Sequence, residues 1–277
     1  MENMDRNSLS SGRTRIIFDR TDRVTIGKSS VIGSRKEQQD TIITDMDYDY
    51  MQAGRAIAVL CDGMGGMQGG AMASQIAASN VYYGFRAMPE GMDIRDFFDD
   101  VLTHVDQDVH SLRTDTGAPM HAGTTIVSAA ITDGLLYLAN VGDSHGYLIR
   151  DGKVNLITKE HNLMSLLLEQ VARGEITLEE ARRNPKREAL VSYLGMGGLR
   201  YRQVPDPPLA LRDGDYVVLC SDGLYRSVDS NEMLDVILSC ETDVQGAADQ
   251  LTELAISKGK PNQDNTSVVV IMYKVID

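Results

Sequence analysis

Two stretches of this chain are apolar at every position and stop at an aspartate. Residues 56–61 read AIAVLC and run into Asp62-Gly63; residues 216–220 read YVVLC and run into Ser221-Asp222-Gly223. A strand with one wet face alternates apolar and polar residues, so a run that never alternates is covered on both faces. Residues 135–141 form a further run that ends at Gly142-Asp143, and near the C-terminus Asp264-Asn265 opens an apolar run over 267–275. The chain must therefore bury its strands between other layers.

The segments between these runs supply the layers. Residues 71–88 and 94–112 carry small or apolar residues at helical spacing. Four short β-rich runs over 123–157 are divided at Asp133-Gly134, Gly142-Asp143 and Asp151-Gly152, and Asp-Gly between apolar runs is a hairpin signal. Asp229-x-x-Glu232 caps a helix to about residue 239, and 244–258 reads as another. Thr177-x-x-Glu180 is a further capping box, inside a less regular stretch over about 159–200 that reads as an inserted flap. Strand clusters separated by helix pairs predict an α+β fold: two antiparallel sheets packed together, with helices outside. Residues 1–23 are polar and without period and are expected to be a mobile tail, leaving 24–277 as one domain.

Composition narrows the function. With 27 basic and 40 acidic residues the formal net charge is -13, a surface that repels nucleic acid and anionic membrane. The longest apolar runs are too short to span a bilayer, and the first residues lack the apolar core of a signal peptide. The 3 cysteines are scattered, without CxxC spacing, which excludes a disulfide framework or zinc knuckle. The expected compartment is the cytoplasm. Phosphate chemistry on so acidic a chain needs a local positive source.

The aspartates at the strand ends could provide for one. A carboxylate there is rigidly mounted at the rim of a sheet. Several that converge repel one another unless a cation sits between them, and oxygen-only ligands select hard ions such as Mg²⁺ or Mn²⁺. Singly, each Asp-Gly is as well read as a turn, the role assigned to Asp133 and Asp151. Cys61 and Cys220 read as small buried hydrophobes. The stretch from Gly63 to Gly70 has five glycines in eight positions but neither a P-loop lysine nor GxGxxG, so it is a poor nucleotide cradle. His104, His110, His121 and His161 have no ligand spacing.

Taken in order, the pieces resemble the metal-dependent PP2C-type (PPM) protein serine/threonine phosphatases, particularly compact bacterial ones. They are Arg35 with Gln39-Asp40; residues 58–66 (AVLCDGMGG); Gly123-Thr124-Thr125; Val141-Gly142-Asp143-Ser144; residues 219–224 (LCSDGL); and Asp264-Asn265-Thr266-Ser267-Val268. The resemblance runs from about Val24 to Val275. It implies a central β-sandwich flanked by helix pairs, with residues 159–200 as the family's flap. It implies hydrolysis of phosphoserine or phosphothreonine in proteins by a metal-activated water at two Mn²⁺ or Mg²⁺ ions. Asp62 would bridge both ions, with the Gly63 carbonyl on one, and Asp222 and Asp264 would be further ligands. Asp143 would share a third ion with Asp222. Asp40, with Gln39 beside it, would hold water behind the ligands, and Arg35 would bind the substrate phosphate. The partners implied are phosphoproteins and a cognate serine/threonine kinase.

Three positions depart from the family pattern. Gln39 stands where a glutamate is usual, so an amide replaces one outer carboxylate. Gly-Asp-Ser-Arg reads Gly142-Asp143-Ser144-His145. Met64 occupies a position where some relatives carry a proton-transferring His. The alternative function is a pseudophosphatase, or a dedicated regulatory interaction module on the same fold. In the flap, Arg182, Arg183, Lys186 and Arg187 put four cations in six residues; they read as a solvated helix end or as a patch that steers phosphopeptides.

Overall fold

The computed structural model describes residues 21–45, 55–66, 69–89 and 91–276. The chain opens with β1 (Thr21–Val31), β2 (Asp40–Thr44) and β3 (Arg55–Met64), followed by α1 (Gly69–Arg86) and α2 (Ile94–His110). Next come β4 (Gly123–Thr124), β5 (Ile126–Thr132), β6 (Leu135–Val141), β7 (His145–Arg150) and β8 (Lys153–Leu156). The flap region holds α3 (Leu163–Ala172) and α4 (Leu178–Arg183). The chain then forms β9 (Leu209–Ala210), β10 (Tyr216–Cys220), α5 (Asp222–Tyr225), α6 (Ser230–Cys240), α7 (Val244–Ser257) and β11 (Thr266–Ile276). The expected tail lies outside the described residues except for 21–23, which belong to β1.

All strand pairs are antiparallel. One sheet has the order β1-β11-β10-β7-β8, and the other has β2-β3-β5-β6-β9 with β4 added on β3. The two sheets face each other, and each is covered on its outer side by a helix pair, as the non-alternating runs require. Along β3, Ala56, Ala58 and Leu60 enter the core between the sheets, against Val217, Leu219, Val269 and Ile271. Their neighbours Ile57, Val59 and Cys61 face the other way, onto Ala73, Ala77 and Phe85 of α1 and Phe98 and Leu102 of α2. On the second sheet Val218, Cys220, Val268 and Val270 meet Ile237 of α6 and Ala248 and Leu251 of α7. The apolar side chains named in these strands are thus each buried on one of two fronts. Truncating Leu60 of β3 or Phe98 of α2 to Ala would cost about 3–5 kcal/mol.

Local signals set the helix starts. Thr177 with Glu180, and Asp229 with Glu232, form complete capping boxes. Asp93 caps α2 by accepting from the backbone N–H groups of Arg95 and Asp96. Among the described residues no helix is long and apolar enough to cross a membrane.

Candidate metal centre

The fold brings one end of each sheet to the same place. Asp62 and Gly63 lie near the end of β3, and Asp40 at the start of β2 pairs directly with Asp62. Asp222 begins α5 immediately beyond β10, Asp264 lies just before β11, and Asp143 occupies the turn from β6 to β7. Arg35, Asp62, Gly63, Asp143, Asp222 and Asp264 all line one cavity of about 490 Å³. Asp40 is not on its surface: it is buried behind, where its Oδ2 accepts a hydrogen bond from Ser221 Oγ at 2.8 Å.

The backbone around Asp62 is tied on every side. Thr124 Oγ1 and the Thr125 N–H both donate to the Asp62 carbonyl at 2.9 Å. The Asp62 N–H donates to Thr125 Oγ1 at 3.1 Å, and that hydroxyl also bonds Ser144 Oγ at 2.7 Å. Gly63 is so closely enclosed that a Cβ would stand 2.1 Å from the Gly70 carbonyl oxygen and 2.6 Å from that of Gln39. Only glycine fits there. Asn265 organises the other wall: its Oδ1 accepts from the Gln39 N–H at 2.8 Å, and its Nδ2 donates to the carbonyls of Ile32 and Glu37. The Gln39 side chain faces the cavity and donates to the Gly65 carbonyl at 3.1 Å and to Glu37 Oε2 at 3.2 Å. An amide can make both of these bonds at once, where a carboxylate could donate neither.

The electrostatics are those of too many carboxylates with too little compensation. Burial, with the charges of Asp222 and Asp264, pushes Asp40 up to about 6 despite hydrogen bonds from Ser267 and Ser221. Asp62 is partly open to the cavity and otherwise enclosed by protein; that enclosure and the facing Asp40, Asp222, Asp143 and Asp264 raise it well above the carboxylate range. Asp143 is pushed up to about 6, by burial and then by Asp222. Asp222 is raised by burial although Arg226 opposes the shift. Asp40 Oδ1 and Asp222 Oδ1 are buried with no hydrogen-bond partner. Such oxygens are costly unless a cation or water engages them.

Hard divalent cations fit this donor set. The donors are oxygens only, and the nearby thiols of Cys61 and Cys220 are driven up by burial and so stay protonated. Among the described residues no three His, Cys, Asp or Glu side chains gather closely enough to hold an ion alone. Mg²⁺ and Mn²⁺ keep several waters and take few carboxylates, so they do not require three such side chains together.

Two arginines reach the centre. Arg35, expected at the phosphate, pairs with Asp264 at 2.5 Å. Arg226 was not anticipated, although its place one turn after Asp222 puts it on the same helical face: its Nε lies 3.2 Å from Asp222 Oδ2 and its Nη1 3.4 Å from Glu188. Ser221, Thr125 and Asn265 each make a hydrogen bond to an aspartate of the centre, to Asp40, Asp62 and Asp264 respectively, and Ser144 supports Thr125. His145 is engaged rather than free: it bonds Tyr147 Oη at 2.7 Å and Glu160 at 2.8 Å and stacks on Tyr225. Buried His161, held near 4 and so neutral, accepts the Gly142 N–H at 3.1 Å and supports the turn that carries Asp143.

Known proteins resemble this chain in sequence and in fold. Residues 30–255 match the family described as protein phosphatase 2C. The serine/threonine protein phosphatase PstP of Mycobacterium tuberculosis is 33% identical over 232 residues, which are 80% of this chain but 41% of PstP, so the chain spans well under half of that relative. A serine/threonine phosphatase of S. agalactiae superposes with a TM-score of 0.76 at 26% identity, covering 90% of this chain and 99% of that one. The catalytic domain of PstP, solved in complex with 2 manganese ions, has a TM-score of 0.71 at 28% identity over 93% of this chain and 100% of that one.

Proposed function

Because this chain belongs to the protein phosphatase 2C family, we propose that it hydrolyses phosphoserine and phosphothreonine in proteins at a centre of two Mn²⁺ or Mg²⁺ ions. The observation that carries the reading is the pair of unpartnered, buried oxygens on either side of Asp62: Asp222 Oδ1 in the wall of the carboxylate cavity and Asp40 Oδ1 behind it, paired across the ladder with Asp62. The manganese-bound catalytic domain of PstP supports the choice of ion.

The residues divide the work by position. Asp62, the Gly63 carbonyl, Asp222 and Asp264 would hold the ions. Asp143 would share a third ion with Asp222. When bound, the ions supply a nucleophilic water at neutral pH and neutralise charge on the phosphoryl oxygens. Asp40 holds its place behind the ligands through Ser221, and Gln39 ties the glycine loop to the cavity wall. Arg35, exposed at the rim on Asp264, is placed to take the substrate phosphate, as a planar guanidinium does well. The ions and Arg35 together are the positive source that a chain of net charge -13 requires. The substrates would be phosphoproteins made by a serine/threonine kinase.

The test is turnover of p-nitrophenyl phosphate and of a phosphothreonine peptide by the purified chain. Hydrolysis that appears with Mn²⁺ and disappears with chelator is expected. No turnover of either substrate at millimolar Mn²⁺ would overturn the enzymatic reading in favour of an interaction module.

A further inference from the structure

The four flap cations do not act as one group. Arg183 turns back along α4 to Glu179, and Lys186 is exposed to solvent. Arg182 and Arg187 instead line a second cavity of about 350 Å³. It adjoins the carboxylate cavity and shares Asp143, Glu188 and Arg226 with it. Guanidinium groups from two parts of the fold, the flap and the end of α5, therefore face one space beside the centre.

Three guanidiniums, Arg182, Arg187 and Arg226, face three carboxylates there, Asp143, Glu160 and Glu188; Asp143 is claimed by an ion under the function proposed above, which leaves the positive charge in excess once the centre is loaded. Glu188 is shared between Arg187 at 3.0 Å and Arg226 at 3.4 Å. Glu160, also in the wall, is occupied by His145 at 2.8 Å and Asn162 at 2.7 Å. Arg182 has no carboxylate at ion-pair distance among the described residues. Arg226 leans on Asp222, and that carboxylate is claimed by the ions under the function proposed above. The backbone that presents the cations is fixed: the Met164 N–H donates to the Arg187 carbonyl at 2.7 Å, and the Leu163 N–H to that of Ala189 at 2.9 Å. Arg187 also donates to the carbonyl of Arg182 at 3.3 Å. A fixed backbone spares that part of the ordering cost when an anion arrives, while the exposed Arg182 side chain still has to be ordered.

We propose that this second cavity is a subsite for an anionic group of the substrate next to the phosphoester that is cleaved: an acidic side chain or a second phosphoryl group. The proposal rests on the phosphatase reading for what its neighbouring cavity does. Carboxylates and phosphates both satisfy paired guanidiniums by charge-assisted hydrogen bonds. On a chain of net charge -13, long-range repulsion disfavours acidic substrates, so a local cluster of arginines is where selectivity for them would have to be built. The same cluster repels basic flanking residues, which adds discrimination.

Three phosphothreonine peptides test it, differing only in whether alanine, glutamate or phosphoserine flanks the phosphothreonine. Affinity is read by fluorescence anisotropy with Mn²⁺ present, on versions of the peptides in which non-hydrolysable phosphonates replace the phosphoesters, and kcat/KM is read with Mn²⁺ on the phosphopeptides. The glutamate and phosphoserine peptides should bind roughly tenfold more tightly than the alanine peptide, and high salt should shrink the difference. In the Arg182→Ala, Arg187→Ala double variant the three affinities should fall within about twofold of one another, whereas Arg183→Ala should keep the preference, because its side chain points away. Tighter binding of phosphoserine than of glutamate identifies a second phosphate as the ligand; equal binding means that a carboxylate suffices. Equal affinity for all three in the unaltered chain, or a preference that survives the double variant, overturns the subsite. A preference without turnover of any peptide overturns the hydrolytic reading and leaves the subsite standing.

Discussion

Asp40 sits directly opposite Asp62 across the β2–β3 ladder. Like charges facing each other in an antiparallel pair destabilise it, and here one of them is buried with an oxygen that nothing engages. The arrangement is unfavourable for the bare chain at neutral pH, and a cation against these carboxylates relieves it.

A pH dependence follows with a definite sign. Asp40 and Asp143 are each raised to about 6 from 3.8, so between those values the folded chain binds more protons than the unfolded one. Stability from these groups is complete below pH 3.8 and is lost as pH rises through about 6. The melting temperature of the chelated protein should fall by at least about 5 °C between pH 5 and pH 7.5. Added Mn²⁺ should raise it more at pH 7.5 than at pH 5. Scanning calorimetry checks both, and a chelated protein whose stability rises over that interval would contradict the raised values.

Asp62→Asn removes the facing charge. Without ions at pH 7.5 the variant should melt at or above the temperature of the unaltered chain, since the amide relieves the repulsion. Manganese-dependent turnover should drop by at least about a hundredfold, because a carboxylate proposed to hold the ions is gone. Turnover within tenfold of the parent would remove Asp62 from the centre.

The elements that sequence patterning missed are those whose burial is not written in apolar residues. β1 is buried on its inner side by Val24 and Ile26 alone; on its outer side Gly27 is approached so closely by α7 that a Cβ would lie 2.3 Å from the Val244 carbonyl oxygen. The start of this strand, Thr21 to Arg23, reads as polar tail until its partner β11 is known. Helix α3 has three consecutive leucines but no buried residue, since it lies on the flap rather than over a sheet. By contrast β3, β10 and β11 announced themselves, being apolar on both fronts. The aspartates were legible because each ends or begins such a strand. Arg226 was not: its role depends on a helix of four residues, too short to show a period, whose Gly223 packs closely against the Asn265 carbonyl.

Arg35→Ala separates binding from chemistry. The Arg35–Asp264 pair is about half exposed, so its loss should change the melting temperature by no more than about 2 °C. A guanidinium that holds phosphate already in the ground state should, when removed, raise KM for a phosphopeptide roughly tenfold and lower kcat less. Steady-state kinetics decides; an unchanged KM would give Arg35 a structural role only.

Asp143 and Asp222 offer the sharpest separation of roles. Asp143 follows Gly142, whose φ of 107° needs glycine and whose missing Cβ makes room for Thr125. His161 accepts the Gly142 N–H, so the turn is held without the Asp143 side chain. Asp143→Ala should therefore fold, and at neutral pH it should be no less stable without ions, since a carboxyl raised to about 6 by burial is removed. If Asp143 and Asp222 share a third ion, manganese calorimetry on Asp143→Ala should show the tight binding kept and one weak event lost. Hard ions held by few carboxylates and several waters bind weakly, so turnover should fall by about tenfold or need more Mn²⁺. Asp222→Ala should lose tight binding as well, because its carboxylate serves both places, and it also frees Arg226 from its ion pair. Unchanged stoichiometry and unchanged turnover in Asp143→Ala would take Asp143 out of the centre and leave its carboxyl as a buried acid that raises its neighbours.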